Sequence, residues 1–438
     1  MGKEYKIGDF LKRIKRPVSL DADKEYKLVT IKMKHKGVVL RGLKKGKEIK
    51  SNMYEVKKGD FILSGIDARN GAFGIVPEKL DGAIVTNDFW YFEIDENIIS
   101  KPLFLELTAT TWFDEICKKA SDGTTQRIRL QKDKFFNQKV ILPKKKEQQN
   151  ILDKLLIFKE KQSNLLNEIT QQKQHIKHLK QSLLQDAIQG KLTKKWRQQH
   201  PDTEPASELL KRIKTEKEKL IKEKKIRKQK PLPPISPEEI PFELPEGWVW
   251  CRLGEIAKHN SGKTLHKSKN TGKYYEYITT SNLYWNYFNL NNLKKIKVEQ
   301  KELERCTARK GDLLICEGGD VGRSAIWNYD YNICFQNHIH RVRLYGNIKV
   351  KYIYYFMMFL YDSKLINQYK KGMGIGNLSG KSLSSIKISL PPLAEQKAIV
   401  EKVESIMQKV SAMEEEIQKS EQHAEMLMQA ILKEAFDK

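Results

Sequence analysis

The sequence predicts an α+β chain built twice. Two similar mixed α/β globular units are each followed by one long helix, and the two helices pair as an antiparallel coiled coil. Three observations carry this expectation. A stretch of 49 residues recurs without a gap at an offset of 248. Both copies keep an apolar heptad over more than four heptads. Upstream of each copy lies a strand-rich, glycine-punctuated segment with matching anchor motifs.

The first unit spans residues 1–143. Its anchors are Ile7-Gly8-Asp9-Phe10 and Lys58-Gly59-Asp60-Phe61-Ile62-Leu63, which match Leu253-Gly254-Glu255-Ile256 and Lys310-Gly311-Asp312-Leu313-Leu314-Ile315 in the second unit, residues 246–391. Each Lys-Gly-Asp reads as a turn feeding a buried strand. Leu130 to Val140 and Leu378 to Ile388 keep the 248 offset into the helices, and between these anchors the two copies diverge.

The helices span 144–190 and 392–438. Leu142-Pro143-x-x-x-Glu147-Gln148 matches Leu390-Pro391-x-x-x-Glu395-Gln396, and sixteen of the 49 aligned positions are identical. Leu-Pro stops the preceding strand, and Glu in the first turn suits the helix dipole. Steps of 4 and 3 from Ile151 pass through Leu155, Phe158, Gln162, Leu165, Ile169, Gln172, Ile176, Leu179 and Leu183, eight of ten apolar. The series from Ile399 to Ile431 is apolar at nine of ten. Such a seam marks a coiled coil, and the obvious partner of each helix is the other copy. At about 1.5 Å per residue each helix is roughly 60 Å long. A centred antiparallel register sets Gln162 against Ser420 and Gln172 against Val410. The connector, 191–245, holds eleven Lys/Arg against three Glu from Lys211 to Lys230, and then six prolines from Pro231 to Pro245. It reads as a basic helix, solvated or phosphate-facing, followed by a stiff extended stretch.

Charge points outward to a partner. Lys plus Arg is 81 and Asp plus Glu 55, for a formal net charge of +26. An excess of this size favours a polyanion, because each phosphate neutralised releases condensed counterions. The first sixty residues hold eighteen Lys/Arg against eight acids, whereas the second helix from Ala394 holds six against ten. The polyanion therefore belongs on the globular faces, and the helices are left for protein contacts. No apolar run reaches about 18 residues, so no membrane helix is expected. Five scattered cysteines without a CxxC pair read as free thiols of a cytoplasmic protein.

Catalytic signatures are missing. Gly380-Lys381-Ser382 and Gly262-Lys263-Thr264 lack the first glycine of a phosphate-binding loop, which is replaced by Ile375 and Ala257. His338-Ile339-His340 has the wrong spacing for two metal ligands on one helical face. Asp312 and Glu317-Gly318-Gly319-Asp320 read as turns before they read as a nuclease site. No cofactor and no metal is expected, and the chain reads as a binder and not as an enzyme.

Polar glycine-rich loops sit at corresponding places in both units: Ser64 to Gly71 and Ser121 to Arg127 in the first, Glu317 to Ser324 and Gly372 to Lys381 in the second. Glycine lets backbone approach a groove closely. Arg, Asn and Gln suit base edges, whereas Ser, Thr and Lys suit phosphates. The candidate DNA-contacting residues are Arg69, Asn70, Thr124, Gln126 and Arg127 in the first unit. In the second they are Lys263, Arg323, Asn337, His338 and Lys381. The competing role for each is to cap a strand or to pack on the helix base.

Ile240-Pro241-Phe242-Glu243-Leu244-Pro245-Glu246-Gly247-Trp248 through Ile256 resembles the opening of a target-recognition domain in the specificity subunit of type I restriction-modification enzymes. The two Leu-Pro-x-x-x-Glu-Gln helix starts, Leu184 to Leu192, and Gly376-Asn377-Leu378-Ser379 resemble the same family, over nearly the whole chain. The first unit departs from it by starting at Tyr5-Lys6-Ile7-Gly8 without a Pro-Glu-Gly-Trp opening. The resemblance implies that each unit is a target-recognition domain reading one half of a bipartite, asymmetric site in double-stranded DNA, with the helices as a spacer ruler. It implies two S-adenosylmethionine-dependent DNA methylation subunits and ATP-driven restriction (motor/nuclease) subunits as partners. Two other readings use the same residues: a free-standing DNA-binding protein with no methylase partner, and a coiled-coil scaffold that meets nucleic acid through charge alone.

Overall fold

The computed structural model describes residues 2–123, 128–226, 228, 230–266, 270–372 and 376–436. The chain divides into two compact units, Met1–Gln171 with Glu416–Lys438, and Gln172–Glu415. Both long helices form, as Lys145–Ile188 and Leu393–Phe436, 44 residues each. Each helix contributes a length to both units.

In the first unit the chain enters along Lys3–Lys6 and leaves along Lys139–Leu142. These two strands pair antiparallel, Lys3 opposite Leu142. Next comes a four-stranded sheet in the order Leu11–Ile14, Phe89–Ile94, Phe61–Ser64, Phe73–Ile75. A second sheet runs Pro17–Val18, Met53–Val56, Ala83–Val85, Glu25–Ile31, Val38–Lys45. One pair in it is parallel, with Leu28 opposite Ile84. Helices Lys101–Thr108 and Thr111–Lys119 cover the four-stranded sheet through Leu103, Phe104, Leu107 and Phe113, all fully buried with Phe61 and Phe92.

The second unit repeats the plan with different residues. Val249–Arg252 pairs antiparallel with Lys387–Leu390. The four-stranded sheet runs Ala257–Ser261, Ile339–Leu344, Leu313–Cys316, Ser324–Ile326. The other runs Thr307–Ala308, Ile333–Phe335, Lys273–Ile278, Lys294–Val298, again with one parallel pair, Tyr277 opposite Cys334. Both Lys-Gly-Asp turns form as expected. Gly59 (φ 82°) and Gly311 (φ 88°) take the left-handed conformation. Asp60 accepts the Lys57 N–H and binds the Arg16 guanidinium with both oxygens. Asp312 does the same with the Arg309 N–H and Arg343.

The long helices are antiparallel within each unit. In the first, the Gln162 amide donates to the Ala424 carbonyl at 3.0 Å, and Ile431 packs into the core that holds Leu155. In the second, Lys180 pairs with Glu414 at 2.7 Å, and Lys402 donates to the Leu192 carbonyl. Gln162 thus reaches one helical turn beyond the expected Ser420. The seam is also half as wide as its sequence. Leu155, Ile169, Ile176 and Leu183 are buried, as are Val403, Val410 and Ala424. The alternate line, Phe158, Leu165 and Leu179 with Met413 and Leu427, is 39–58% exposed. Gln172 lies on this outward line, so it does not oppose the buried Val410.

The connector is part of the second unit. Its helix Ala206–Lys222 buries Ala206, Leu209 and Ile213 in that unit's core, so its basic residues occupy only the remaining faces. Ile213 anchors the basic run to the core, and most of the run's lysines remain exposed.

Candidate nucleic-acid interface

In the first unit the loop after strand Phe61–Ser64 closes in a short 3₁₀ turn, Ala68–Asn70, ending on left-handed Gly71. Ala68 is buried and anchors the turn, which leaves Arg69 half-buried and Asn70 exposed. A second loop brackets it: the Lys34 N–H donates to the Asn70 carbonyl at 2.8 Å and the His35 N–H to the Gly71 carbonyl at 2.9 Å. Glycine suits position 71 by its left-handed φ of 73°, and a Cβ there would press the His35 ring aside. The hairpin Ser121–Asp122 with Arg129–Leu130 joins the same rim, because the Leu130 N–H donates to the Gly65 carbonyl at 2.7 Å. Thr124, Gln126 and Arg127 lie outside the described residues. Lys34, with Arg13 stacked 4.6 Å over Trp90 and Arg129 paired to Asp88, adds positive charge nearby.

The second unit builds its rim at the same end of the equivalent sheet. The Asn337 N–H donates to the Lys263 carbonyl, the His338 carbonyl accepts from Glu317, and the Glu317 carbonyl accepts from Leu378. Four segments distant in sequence therefore meet around residues 263, 317, 337 and 378. Asn337 is half-buried, and His338 and Lys381 are exposed. Gly262 is forced by close approach: a Cβ there would lie 2.1 Å from the Phe335 carbonyl. The neighbouring Lys263 is committed inward. It is buried and its ammonium pairs with the Glu302 carboxylate, so it is poorly placed to reach a phosphate. Arg323 is half-buried and held at three points, by Asp320 at 3.2 Å, by the Thr280 carbonyl at 2.7 Å and by the face of Tyr284 at 5.4 Å. A guanidinium fixed in this way keeps one orientation at low entropic cost.

Sequence reasoning missed the aromatic hairpin beside Arg323. Strands Leu283–Tyr284 and Tyr287–Phe288 turn on left-handed Asn286, and the rings of Tyr284 and Tyr287 stack 4.8 Å apart. Tyr287 is 55% exposed. The signal was present as Tyr-Trp-Asn-Tyr, an aromatic run interrupted by a turn residue.

Under the rim lies a pair of histidines. His340 is buried and its Nε2 bonds the Leu378 carbonyl at 2.8 Å; His259 bonds Ser384 at 2.8 Å, and the rings meet edge to face. Burial, reinforced by the neighbouring imidazole, pushes the His259 pKa down to about 4, and burial lowers that of His340 as well. Both are neutral near pH 7; His259 ties strand Ala257–Ser261 to the short helix Gly380–Ser384, and His340 ties strand Ile339–Leu344 to the loop before it. Among the described residues no three His, Cys, Asp or Glu side chains are placed to hold a metal ion. No helix among the described residues is long and apolar enough to cross a membrane.

The geometry is thus two loop rims, each at the end of a similar pair of sheets. The model of the type I restriction modification DNA specificity domain matches the chain twice, over residues 3–175 and 245–422. The chain belongs to the type I restriction-modification DNA specificity family. Its sequence is 34% identical over 258 residues, 56% of the chain, to the type I restriction enzyme EcoEI specificity subunit of Escherichia coli. It is 34% identical over 238 residues, 52% of the chain, to the EcoAI specificity subunit of the same organism. It spans 42% and 39% of the lengths of these two relatives. A solved chain from a study of complex assembly and conformational transition of the type I R-M system shares the fold. Its TM-score is 0.73 at 19% identity, over 99% of this chain and 97% of that one. The HsdS subunit from Thermoanaerobacter tengcongensis shares it too, with TM-score 0.57 at 18% identity, over 99% and 96%. The fold class read from the sequence, two mixed α/β domains with paired long helices, is that of this family.

Proposed function

We propose that the chain reads a bipartite, asymmetric site in double-stranded DNA, one half-site per recognition domain, and directs partner subunits to it. The partners are two DNA methylation subunits that modify adenine and the restriction subunits of the same system. The chain itself supplies recognition and needs no cofactor, and the complex works in the cytoplasm on the cell's DNA. The observation that carries this reading is the repetition itself. The same sheet order is built twice, and at equivalent ends of equivalent sheets the loops carry different residues: Arg69 and Asn70 in one domain, Arg323, Asn337 and His338 in the other. Two rims alike in scaffold and unlike in side chains suit two different half-sites. The outward line on the long helices supports the partner role, because exposed apolar stripes of this kind mark protein contacts.

The test is to co-express the chain with the methylation subunit from its own locus and map N6-methyladenine across the host DNA. Methylation at one split motif, two short half-sites with a fixed gap, is the expected result. Exchange of residues 1–130 for another recognition unit then changes one half-site only. No methylation, with the two proteins failing to co-purify, overturns the reading.

A further inference from the structure

The second unit holds a basic cleft that the recognition rim does not use. Its volume is about 1030 Å³. One wall is the connector, with Lys214, Lys224 and Lys230; the other is the domain, with Lys258, Lys301 and Arg305. Only three acids line it, Glu218, Glu255 and Glu304. Lys214, Lys224 and Lys230 are exposed, and none has a carboxylate partner among the described residues. The walls are fixed to one another: Lys217 crosses from the connector helix to the Gly254 and Glu255 carbonyls and lies over Tyr345. The Leu, Ile and Tyr side chains of the cleft are half-buried, and exposed lysines stand over them along both walls. That composition disfavours a protein partner, since protein interfaces are depleted in Lys and enriched in exposed aromatics.

The cleft and the rim share a strand. Ala257, Lys258, His259 and Asn260 line the cleft, and the same strand continues into Gly262 and Lys263, whose carbonyl accepts from Asn337 on the rim. Arg305 ties the junction by donating to the Ser261 and Gly262 carbonyls, both at 2.9 Å. Ala257 to Lys263 spans roughly 20 Å at about 3.3 Å per residue. That equals about six base pairs of duplex at about 3.4 Å each.

We propose that this cleft holds the phosphates of duplex DNA flanking the half-site read by the second domain. The contact is independent of sequence and extends the footprint beyond the recognised bases. It rests on the half-site reading, because the same duplex must occupy the rim.

The experiment uses the chain co-purified with its methylation subunit and two duplexes that carry the methylated motif. One ends at the half-site boundaries; the other extends about 15 base pairs beyond the second half-site. The triple variant Lys214→Ala, Lys224→Ala, Lys230→Ala is expected to bind the long duplex at least tenfold more weakly. Its log-affinity against log-salt slope should be shallower by about 2 to 3, near 0.9 per lost phosphate contact, with binding of the short duplex unchanged. Equal weakening on both duplexes, or none on either, overturns the proposal. So does loss of the methylation subunit from the triple variant, which would make the cleft a protein-docking site. If the wild-type complex binds a scrambled motif as tightly as the true one, the half-site reading fails, and this is separable from the length effect of the three lysines.

Discussion

Gln396 clasps Lys349. Its side-chain oxygen accepts the Lys349 backbone N–H at 3.0 Å while its amide donates to the Pro391 carbonyl at 2.9 Å. Lys349 is the residue before helix Val350–Asp362, so one amide joins the start of a domain helix to the start of a long helix. Gln148 does the same in the first unit, accepting from Ser100 and donating to the Pro143 carbonyl, with Ser100 preceding helix Lys101–Thr108. Both glutamines are buried. Gln396→Ala is expected to destabilise the second unit by about 1–3 kcal/mol, the cost of stranding a buried donor and acceptor. Gln148→Ala should act equally on the first. Urea titration of each variant measures this, and a change below about 0.5 kcal/mol would remove the clasp from the account.

The neighbouring glutamate breaks the symmetry. Glu395 is fully buried and binds Thr193 at 2.6 Å, Arg197 at 2.5 Å and the Trp248 indole N–H at 2.7 Å. Glu147, its counterpart, is exposed. Trp248, from the Pro-Glu-Gly-Trp opening of the second unit, is one of the groups that cover the Glu395 carboxylate. Glu395→Ala should cost about 3–5 kcal/mol, because it leaves Arg197 without its buried partner. Glu147→Ala should stay within about 0.5 kcal/mol. Thermal melts of the two variants decide the contrast.

The two lines of the long-helix heptad are expected to answer differently. Ile176→Ala removes a buried side chain and should destabilise by about 2–5 kcal/mol. Leu179→Ser, on the outward line, should leave stability within about 0.5 kcal/mol. Under the proposed partner role, a Phe158→Ser, Leu165→Ser double variant stays folded and loses co-purification with the methylation subunit. Retention of the partner by that variant would move the docking face elsewhere.

Acid should weaken the second unit through its histidines. His259 has a folded pKa of about 4 against an ordinary 6.5. Protonation therefore favours the unfolded chain. The stability is complete above about pH 6.5, erodes as the pH falls, and has all gone below about 4. His259→Gln removes this site, and its stability should fall less between pH 6.5 and 4 than that of the wild type. Parallel curves would show that the imidazole does not titrate in this way.

The rims carry the specificity prediction. Arg69→Ala should relax the half-site read by the first domain and leave the other unchanged, and Asn337→Ala should do the reverse. Each should weaken binding by about 1–3 kcal/mol if it meets a base edge. Methylation mapping with each variant reports which half has loosened. A uniform loss at all motifs would assign that residue to phosphate contact.

The long helices and the two-fold repeat were legible because a heptad and a 248-residue offset are properties of the chain alone. The Lys-Gly-Asp turns were legible for the same reason, since Gly59 and Gly311 need a left-handed φ wherever the strand leads. Strand pairing was not. The parallel pairs Leu28 with Ile84 and Tyr277 with Cys334 join strands over 50 residues apart, and no local pattern encodes that. Lys263 looked like a phosphate ligand because its partner Glu302 is 39 residues away. The outward line of the heptad was hidden too, since periodicity marks apolar positions without saying how many of them one neighbour covers. The connector's burial turned on Leu209, just before the basic run, and on Ile213 inside it.

Lys3–Lys6 lies against Lys139–Leu142, so the chain enters and leaves the first domain at one place. Between those strands lies one core that is the domain's own, around Val29 and Val85, and one shared with Leu152, Leu155 and Ile431 of the long helices. A recombination event with one breakpoint in each strand would replace the whole insert, and heredity could revise what one half of the molecule reads in a single step, provided the new insert fits those helix side chains. The second domain has a similar doorway in Val249–Arg252 and Lys387–Leu390, but Leu209 and Ile213 of the connector reach into its interior. A foreign insert there must also fit those two side chains. Each domain can therefore change hands between lineages only with a core that fits the fixed helices.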